Sequence, residues 1–246
     1  LRELKTMIQF YAPDILTNPL LPESDSQHCI RVLRKQQGDI IDVIDGRGHR
    51  LKCRILDPHS KHTLVEIVET EEIALPWKGN ITIAVAPTKH IDRMEWLLEK
   101  LVEIGINRFV PLLCTHSERK EIKAERLEKI AVSAMKQSLK TWMPQINGMT
   151  LLKTFIDEFR HSNASRYVAY CDPDIPRRIL AKEITPQCDT VIMIGPEGDF
   201  SPQEIKETIG SGFIPVSLGD CRLRTETAAL AACQTIHAIN QLNLPV

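Results

Sequence analysis

The 246-residue chain is 43% hydrophobic and 26% charged, so it holds enough apolar matter for a full core. At about 150 residues per domain it predicts one or two domains. Thirty-one basic residues against 32 acidic ones leave a net charge of −1, which excludes a protein that grips nucleic acid through a broad basic field. No run approaches the ~18 apolar residues of a membrane span, and Leu1–Lys5 has no signal-peptide apolar core; these features predict a cytoplasmic protein with no membrane partner. The seven cysteines are scattered without a C-x-x-C pair, and the close pair His59 and His62 has no cysteine or carboxylate set beside it, so reduced thiols and no metal are expected.

The first seventy residues read as short strands around one helix. Met7–Tyr11 is strand-like, and Ser24–Gln37 is expected as a helix, with Ser24 or Ser26 as N-cap and Gly38 as the stop. Ile40–Ile44, a turn at Asp45–Gly48, Arg50–Leu56 and His62–Glu69 follow as an antiparallel set, predicting a small β-barrel module. Arg50, Lys52 and Arg54 alternate with Leu51, Cys53 and Ile55, so a strand here shows three cations on one face and an apolar row on the other. Arg31, Arg34 and Lys35 would share one helix face at i, i+3 and i+4. Either set is a local RNA grip or simply a solvated charged surface. Glu69–Glu72 followed by Pro76–Gly79 is expected to be a linker, dividing a domain at 1–73 from one at 74–246.

Beyond it strands and helices alternate, the pattern of a mostly parallel sheet in an α/β fold. Ile81–Ala86, Phe109–Leu113, Tyr167–Tyr170, Thr190–Ile194 and Ile214–Leu218 are the predicted strands. Asp92–Ile104 is an amphipathic helix with Met94, Leu97, Leu98, Leu101 and Val102 on one face and Gly105 at its end; Lys123–Lys140 is another, buried along Leu127, Ile130, Ala131 and Ala134.

Two glycine-bearing stretches carry the chemistry, Ile194–Ser201 (IGPEGDFS) and Leu218–Ala228 (LGDCRLRTETA). Each follows an apolar strand and precedes a helix, where α/β proteins build ligand pockets. Ser201 and Glu204 form a capping box with Pro202 at the first helical position. The GPEG turn has neither the Lys-Ser/Thr of a P-loop nor the three glycines of a dinucleotide loop, so its open backbone suits an adenine edge; a plain tight turn is the other reading. Arg222 and Arg224 stand at the positive end of the helix that follows, which breaks the usual charge rule and fits an anionic partner. Thr225 is the natural N-cap, and Thr227 offers another hydroxyl.

A GPEG-x-FS turn with an LG-x-x-x-LRTETA segment some twenty residues later resembles the RsmE family of 16S ribosomal RNA uridine-N3 methyltransferases, in the SPOUT superfamily. His28, Arg31 and Arg34, then Gly38-Asp39 and Asp45-Gly46, are similar to that family's PUA-like domain, and Lys89–Pro111 to its central segment. Asp199, where the family commonly has a second glycine, and Arg222, where an apolar residue is usual, depart from the pattern, as do Lys136 and Lys140-Thr141.

The resemblance implies a PUA-like β-barrel domain at 1–73 and a trefoil-knotted SPOUT domain at 74–246. It also implies a homodimer and S-adenosylmethionine as methyl donor to uridine 1498 of 16S rRNA in the small ribosomal subunit. The cofactor is expected among Ile194, Gly195, Pro196, Glu197, Gly198, Leu218, Gly219, Leu223, Thr225, Thr227 and Ala228. RNA is expected against Arg31, Arg34, Arg50, Lys52, Arg54, Lys89 and Arg93. Uridine N3 must lose a proton, and the fixed cation of Arg224 would stabilise the charge that develops, with Glu197 orienting cofactor or base. Two other classes stay open on residues alone: a non-catalytic RNA-binding or ribosome-assembly module, and a nucleotide-dependent enzyme holding phosphate in the same loops.

Overall fold

The computed structural model describes residues 8–171 and 175–243, so Met7 and the Leu1–Lys5 segment lie outside the described residues. The chain divides into two compact units. One comprises residues up to Pro76 together with Val132–Met143; the other comprises Trp77–Ala131 together with residues from Pro144 onward.

In the first unit, β1 (Gln9–Tyr11), β2 (Ile40–Ile44), β3 (His49–Asp57) and β4 (Leu64–Glu72) form a sheet in that order. β1 runs parallel to β2, and the other pairs are antiparallel. After β1 the chain turns, Asn18 N–H to Asp14 O at 2.7 Å, and pairs with the far edge, where Leu21 N–H meets Thr63 O and Val65 N–H meets Pro19 O, each at 3.0 Å. One segment thus ties both edges of the sheet, giving a barrel-like wrap around Phe10, Val43, Leu51, Cys53 and Ile55, all buried.

The alternation expected for β3 holds: Leu51, Cys53 and Ile55 are inside, Lys52 and Arg54 exposed. Every cation of the stripe meets an acid across the ladder. Arg50 lies 3.5 Å from Glu71, Lys52 2.5 Å from Glu69 and Arg54 2.8 Å from Glu66. These opposite-charge cross-strand pairs account for a departure from the expected linker, because they hold Glu69–Glu72 in β4 and leave the connector to begin at Ile73.

The helix is also shorter than expected. α1 (Glu23–Gln27) continues as a single π turn over His28–Val32 and stops, with Pro22 rather than a serine at its N-cap. Arg34 is left-handed at φ 54°, and Lys35 N–H reaches back six residues to Cys29 O at 3.1 Å, a wide closing bond that follows from the π turn and ends the helix. Arg34 therefore lies beyond the helix and does not share a helical face with Arg31. Ser26 is not a cap but a buried tie, donating to Leu21 O at 3.0 Å and accepting from Thr63 N–H at 2.9 Å.

In the second unit the strands are β5 (Ile81–Val85), β6 (Arg108–Leu113), β7 (Gln145–Ile146), β8 (Thr150–Leu151), β9 (Ser165–Ala169), β10 (Arg178–Ile179), β11 (Thr190–Ile194) and β12 (Ile214–Ser217). They form one parallel sheet ordered β10-β12-β9-β11-β5-β6-β7, with β8 also on β6. Parallel strands are covered on both faces, which is why β5 and β11 are buried throughout. The helices are α2 (Ile91–Ile104), α3 (Ala124–Gln137), α4 (Leu152–Phe159), α5 (Leu180–Glu183), α6 (Pro202–Gly210) and α7 (Thr225–Leu242).

All five residues of the α2 stripe are buried, and the Gly105 N–H caps Leu101 O. The alanine-rich face of α7, with Ala229, Ala232 and Cys233 buried, packs on α2. α3 contributes to both units, its last turns counting with the first. Its end is fixed by Leu139 at φ 56° and by Lys136, whose ammonium sits 2.5 Å from the buried Asp25 carboxylate. No helix among the described residues is long and apolar enough to cross a membrane.

Candidate cofactor and catalytic cleft

β12, β9 and β11 are neighbours in the sheet and run parallel, so their C-terminal ends emerge side by side. The loops leaving all three line a cleft of about 950 Å³ that lies wholly in the second unit. This is the position where open parallel sheets bind ligands, and the volume is that of a cofactor-sized site.

The first wall grows from β11. Gly195 lets the chain turn tightly: a Cβ there would lie 3.1 Å from the Phe200 ring and from the Asp199 carboxylate. Asp199 N–H closes the turn on Pro196 O at 2.9 Å, and the capping box at Ser201 and Glu204 then starts α6. Glu204 also accepts Thr115 N–H at 2.7 Å. Burial would raise its carboxyl, but the N–H groups of Ser201 and Thr115 outweigh it and hold the group below its ordinary 4.5. On the outer side, Glu197 accepts Lys89 N–H at 3.3 Å, and Arg119 braces that loop by donating to Lys89 O at 2.7 Å.

The second wall leaves β12 through Gly219, whose N–H meets Ser217 Oγ at 3.2 Å, and ends where α7 begins. Here the expected cap is corrected. Arg224, extended at φ −73° and ψ 157°, is the N-cap, and its carbonyl accepts Ala228 N–H at 2.8 Å. Thr225 is the first helical residue, and its hydroxyl is used elsewhere: Oγ1 donates to Gly195 O at 3.2 Å. That bond joins the two motifs directly. Both residues are buried, so the bond is held away from water.

Ile194, Gly195, Pro196, Glu197, Leu218, Gly219, Leu223, Arg224, Thr225 and Ala228 line the cleft together. Gly198 does not; it packs against His116, whose Nδ1 lies 3.1 Å from Gly198 O. Thr227 is exposed and outside the lining. Arg93 lines the cleft, its guanidinium 3.8 Å from Glu226, while Lys89 is exposed beside Glu118 at 3.3 Å. Arg31, Arg34, Arg50, Lys52 and Arg54 belong to the first unit, and Arg31 reaches Ser60 Oγ at 3.3 Å.

Sequence reasoning did not single out Arg177 and Glu226, which also line the cleft. Glu226 stood inside the quoted motif, but its inward side could be read only once the start of α7 was known. The thiols of Cys53, Cys114 and Cys233 are pushed up to about 12 by burial, so they pack as apolar groups. Cys171, Cys188 and Cys221 are exposed.

Residues 75–237 match the family described as RNA methyltransferase domain, and residues 21–68 the RNA methyltransferase PUA domain. The chain is 31% identical over 216 residues to the ribosomal RNA small subunit methyltransferase E of Synechocystis sp., covering 85% of this chain and 69% of that protein. A solved structure titled "probable rRNA-methyltransferase" from Porphyromonas gingivalis shares 46% identity at a TM-score of 0.90, over 96% of this chain and all of its own, 100%. The ribosomal RNA small subunit methyltransferase E of Neisseria gonorrhoeae, solved bound to S-adenosyl methionine, shares 28% identity at a TM-score of 0.76, covering 95% of this chain and 98% of its own. The chain belongs to this RNA methyltransferase family, with the ribosomal RNA small subunit methyltransferase E proteins.

Proposed function

We propose that this protein methylates N3 of a uridine in 16S rRNA, at the family's uridine 1498, using S-adenosylmethionine. The observation that carries the reading is the bond from Thr225 to Gly195, which makes one cleft of the two motifs in a chain whose methyltransferase match runs through both.

The cleft fits the cofactor in size and in charge. S-adenosylmethionine presents an adenine, a carboxylate, an ammonium and a sulfonium; the lining offers open backbone at Gly195 and Gly219, exposed cations at Arg177, Arg222 and Arg224, and acids at Glu197, Asp220 and Glu226. When bound, the cofactor supplies an electrophilic methyl group. Ile194–Glu197, Leu218-Gly219 and Leu223 with Thr225 and Ala228 would hold it, leaving Arg224, which has no ion pair among the described residues, to face the base. Its cation would stabilise the negative charge that spreads over N3 and the flanking carbonyl oxygens as the proton leaves. Glu197 positions the Lys89 loop through its carboxylate.

The PUA-like portion at 1–73 would carry RNA through Arg31 and Arg34 and, less directly, through Arg50, Lys52 and Arg54, whose carboxylate partners must yield first. Lys89 and Arg93 would bring RNA to the catalytic portion at 74–246. A homodimer, a trefoil knot in that portion, action without a metal and a cytoplasmic location complete the proposal. Incubation with labelled S-adenosylmethionine and small subunits lacking the modification tests it. The label is expected on N3 of one 16S uridine; transfer only to large-subunit RNA, tRNA or protein overturns it.

A further inference from the structure

We infer that Glu226 is the proton acceptor for the reacting uridine, a deduction that rests on the function proposed above. Removing the N3 proton needs a base in the cleft, and the described acids differ sharply in what they are already doing. Glu197 is exposed and takes the Lys89 N–H at 3.3 Å. Both carboxylate oxygens of Asp199 are occupied, one by Phe200 N–H at 2.8 Å and the other by Cys171 N–H at 3.1 Å. Asp220 is exposed to solvent.

Glu226 is different. It is only 8% exposed, it lines the cleft, and its Oε2 is buried with no hydrogen-bond partner among the described residues. Among the described residues Oε1 has one ionic neighbour, the Arg93 guanidinium at 3.8 Å. An unpaired buried carboxylate oxygen costs free energy that a structural role would have avoided. A carboxylate in the first turn of α7 does complement the helix dipole, but a side chain pointing to solvent would do that equally well. A carboxylate that lines the cleft and is held only weakly, at 3.8 Å from Arg93 and two residues from the Arg224 cation, is explained by a partner that arrives with the substrate and toward which it turns.

In the step assigned here, the N3–H bond of uridine breaks and its proton moves to the Glu226 carboxylate, which turns to meet the base. The electron pair left on N3 forms the bond to the methyl carbon as the methyl–sulfur bond breaks, its electrons staying on sulfur, so a neutral thioether leaves. Arg224 balances the charge on the base, Arg93 keeps the Glu226 carboxylate at the cleft, and the proton then passes from Glu226 to solvent.

Glu226→Gln keeps the shape and removes the acceptor. Loss of general-base help predicts methylation of small subunits slower by about 100-fold or more at neutral pH. Affinity for S-adenosylmethionine, read by calorimetry, should stay within about twofold of wild type, because the missing group acts on the base. The rate gap should narrow as pH rises, since uridine then loses the proton unaided, and Glu226→Ala should regain activity with added formate.

A Glu226→Gln rate within about threefold of wild type overturns the assignment. So does a fall in cofactor affinity matching the fall in rate, which would make Glu226 a cofactor ligand, or a gap that does not change with pH. If the glutamine variant does not fold, Glu226→Asp carries the test: it should be slower yet keep the wild-type pH profile, and a profile like that of the formate-free alanine variant overturns the assignment. A wild-type protein that puts no methyl on uridine N3 would instead defeat the proposed function, which separates the two failures.

Discussion

Replacing Thr225 with valine removes one hydroxyl while nearly keeping side-chain shape, so it isolates the bond that joins the two walls. Gly195 O then loses its partner in a buried place. An unsatisfied buried carbonyl costs about 1–3 kcal/mol. At roughly 2–4 °C per kcal/mol for a chain of this size, Tm should fall by about 2–12 °C if the walls stay in place. If the first wall instead moves to find water, the same free energy appears as weaker cofactor binding, by about 5- to 150-fold. The bond is lost once, so the two effects share one total. Calorimetric melting with and without S-adenosylmethionine, together with a binding isotherm, reads both. Thr225→Ser, which keeps the hydroxyl, should stay close to wild type in both. Wild-type melting and affinity in Thr225→Val, or equal damage in Thr225→Ser, would refute the reasoning.

Arg224→Ala should slow methylation by about 10²- to 10³-fold with cofactor affinity changed little, as expected for loss of one charge-stabilising donor; a full rate on small subunits would contradict its role. Glu204→Gln should destabilise the protein by about 1 kcal/mol at neutral pH through its cap. Because the folded carboxyl is held below 4.5, that stabilisation is complete above the unfolded value and disappears as pH falls through the folded one, so denaturation midpoints of the two proteins should converge below pH 4.5. A constant gap across pH would show that charge is not involved. Arg34→Ala should lower the salt slope of small-subunit RNA binding by about 1, and Lys52→Ala by less, since Lys52 already meets Glu69 at 2.5 Å. Equal slopes from filter binding would mean that the ladder cations exchange partners freely.

The parallel architecture was legible because its strands are apolar runs between glycine turns, and α2 could be placed residue by residue from its stripe. The stop of α1 was not legible, because no rule of composition puts Arg34 in a left-handed conformation; the stop depends on a backbone bond from Lys35 to Cys29. Nor was the share of Val132–Met143 in the first unit. That association rests on contacts far apart in sequence: Lys136 meets Asp25, and Trp142 packs so close to Gly48 that a Cβ there would sit 2.4 Å from its ring. The site divides in the same way. Spacing marked both stretches as candidate pocket turns and the family resemblance joined them, whereas the bond between them and the placement of Glu226 in the cleft follow from the order β12-β9-β11, which is set by long-range pairing.

Asp199, which the resemblance marks as a departure from the family pattern, shows what an aspartate does at this turn. The position is left-handed at φ 59°, a conformation that glycine adopts freely and that costs other residues roughly 1–2 kcal/mol. Aspartate is among the side chains that tolerate it, because a short carboxylate can bond nearby backbone. Here one oxygen takes Phe200 N–H, and the other reaches Cys171 N–H on the loop leaving β9. Glycine could supply the turn but not the second bond. Asp199 therefore ties the β9 loop to the β11 loop, while Thr225 ties the β11 loop to the start of α7. All three segments that surround the cleft are then held by side chains the two motifs themselves provide, and Glu226 enters that cleft from the same helical turn as Thr225.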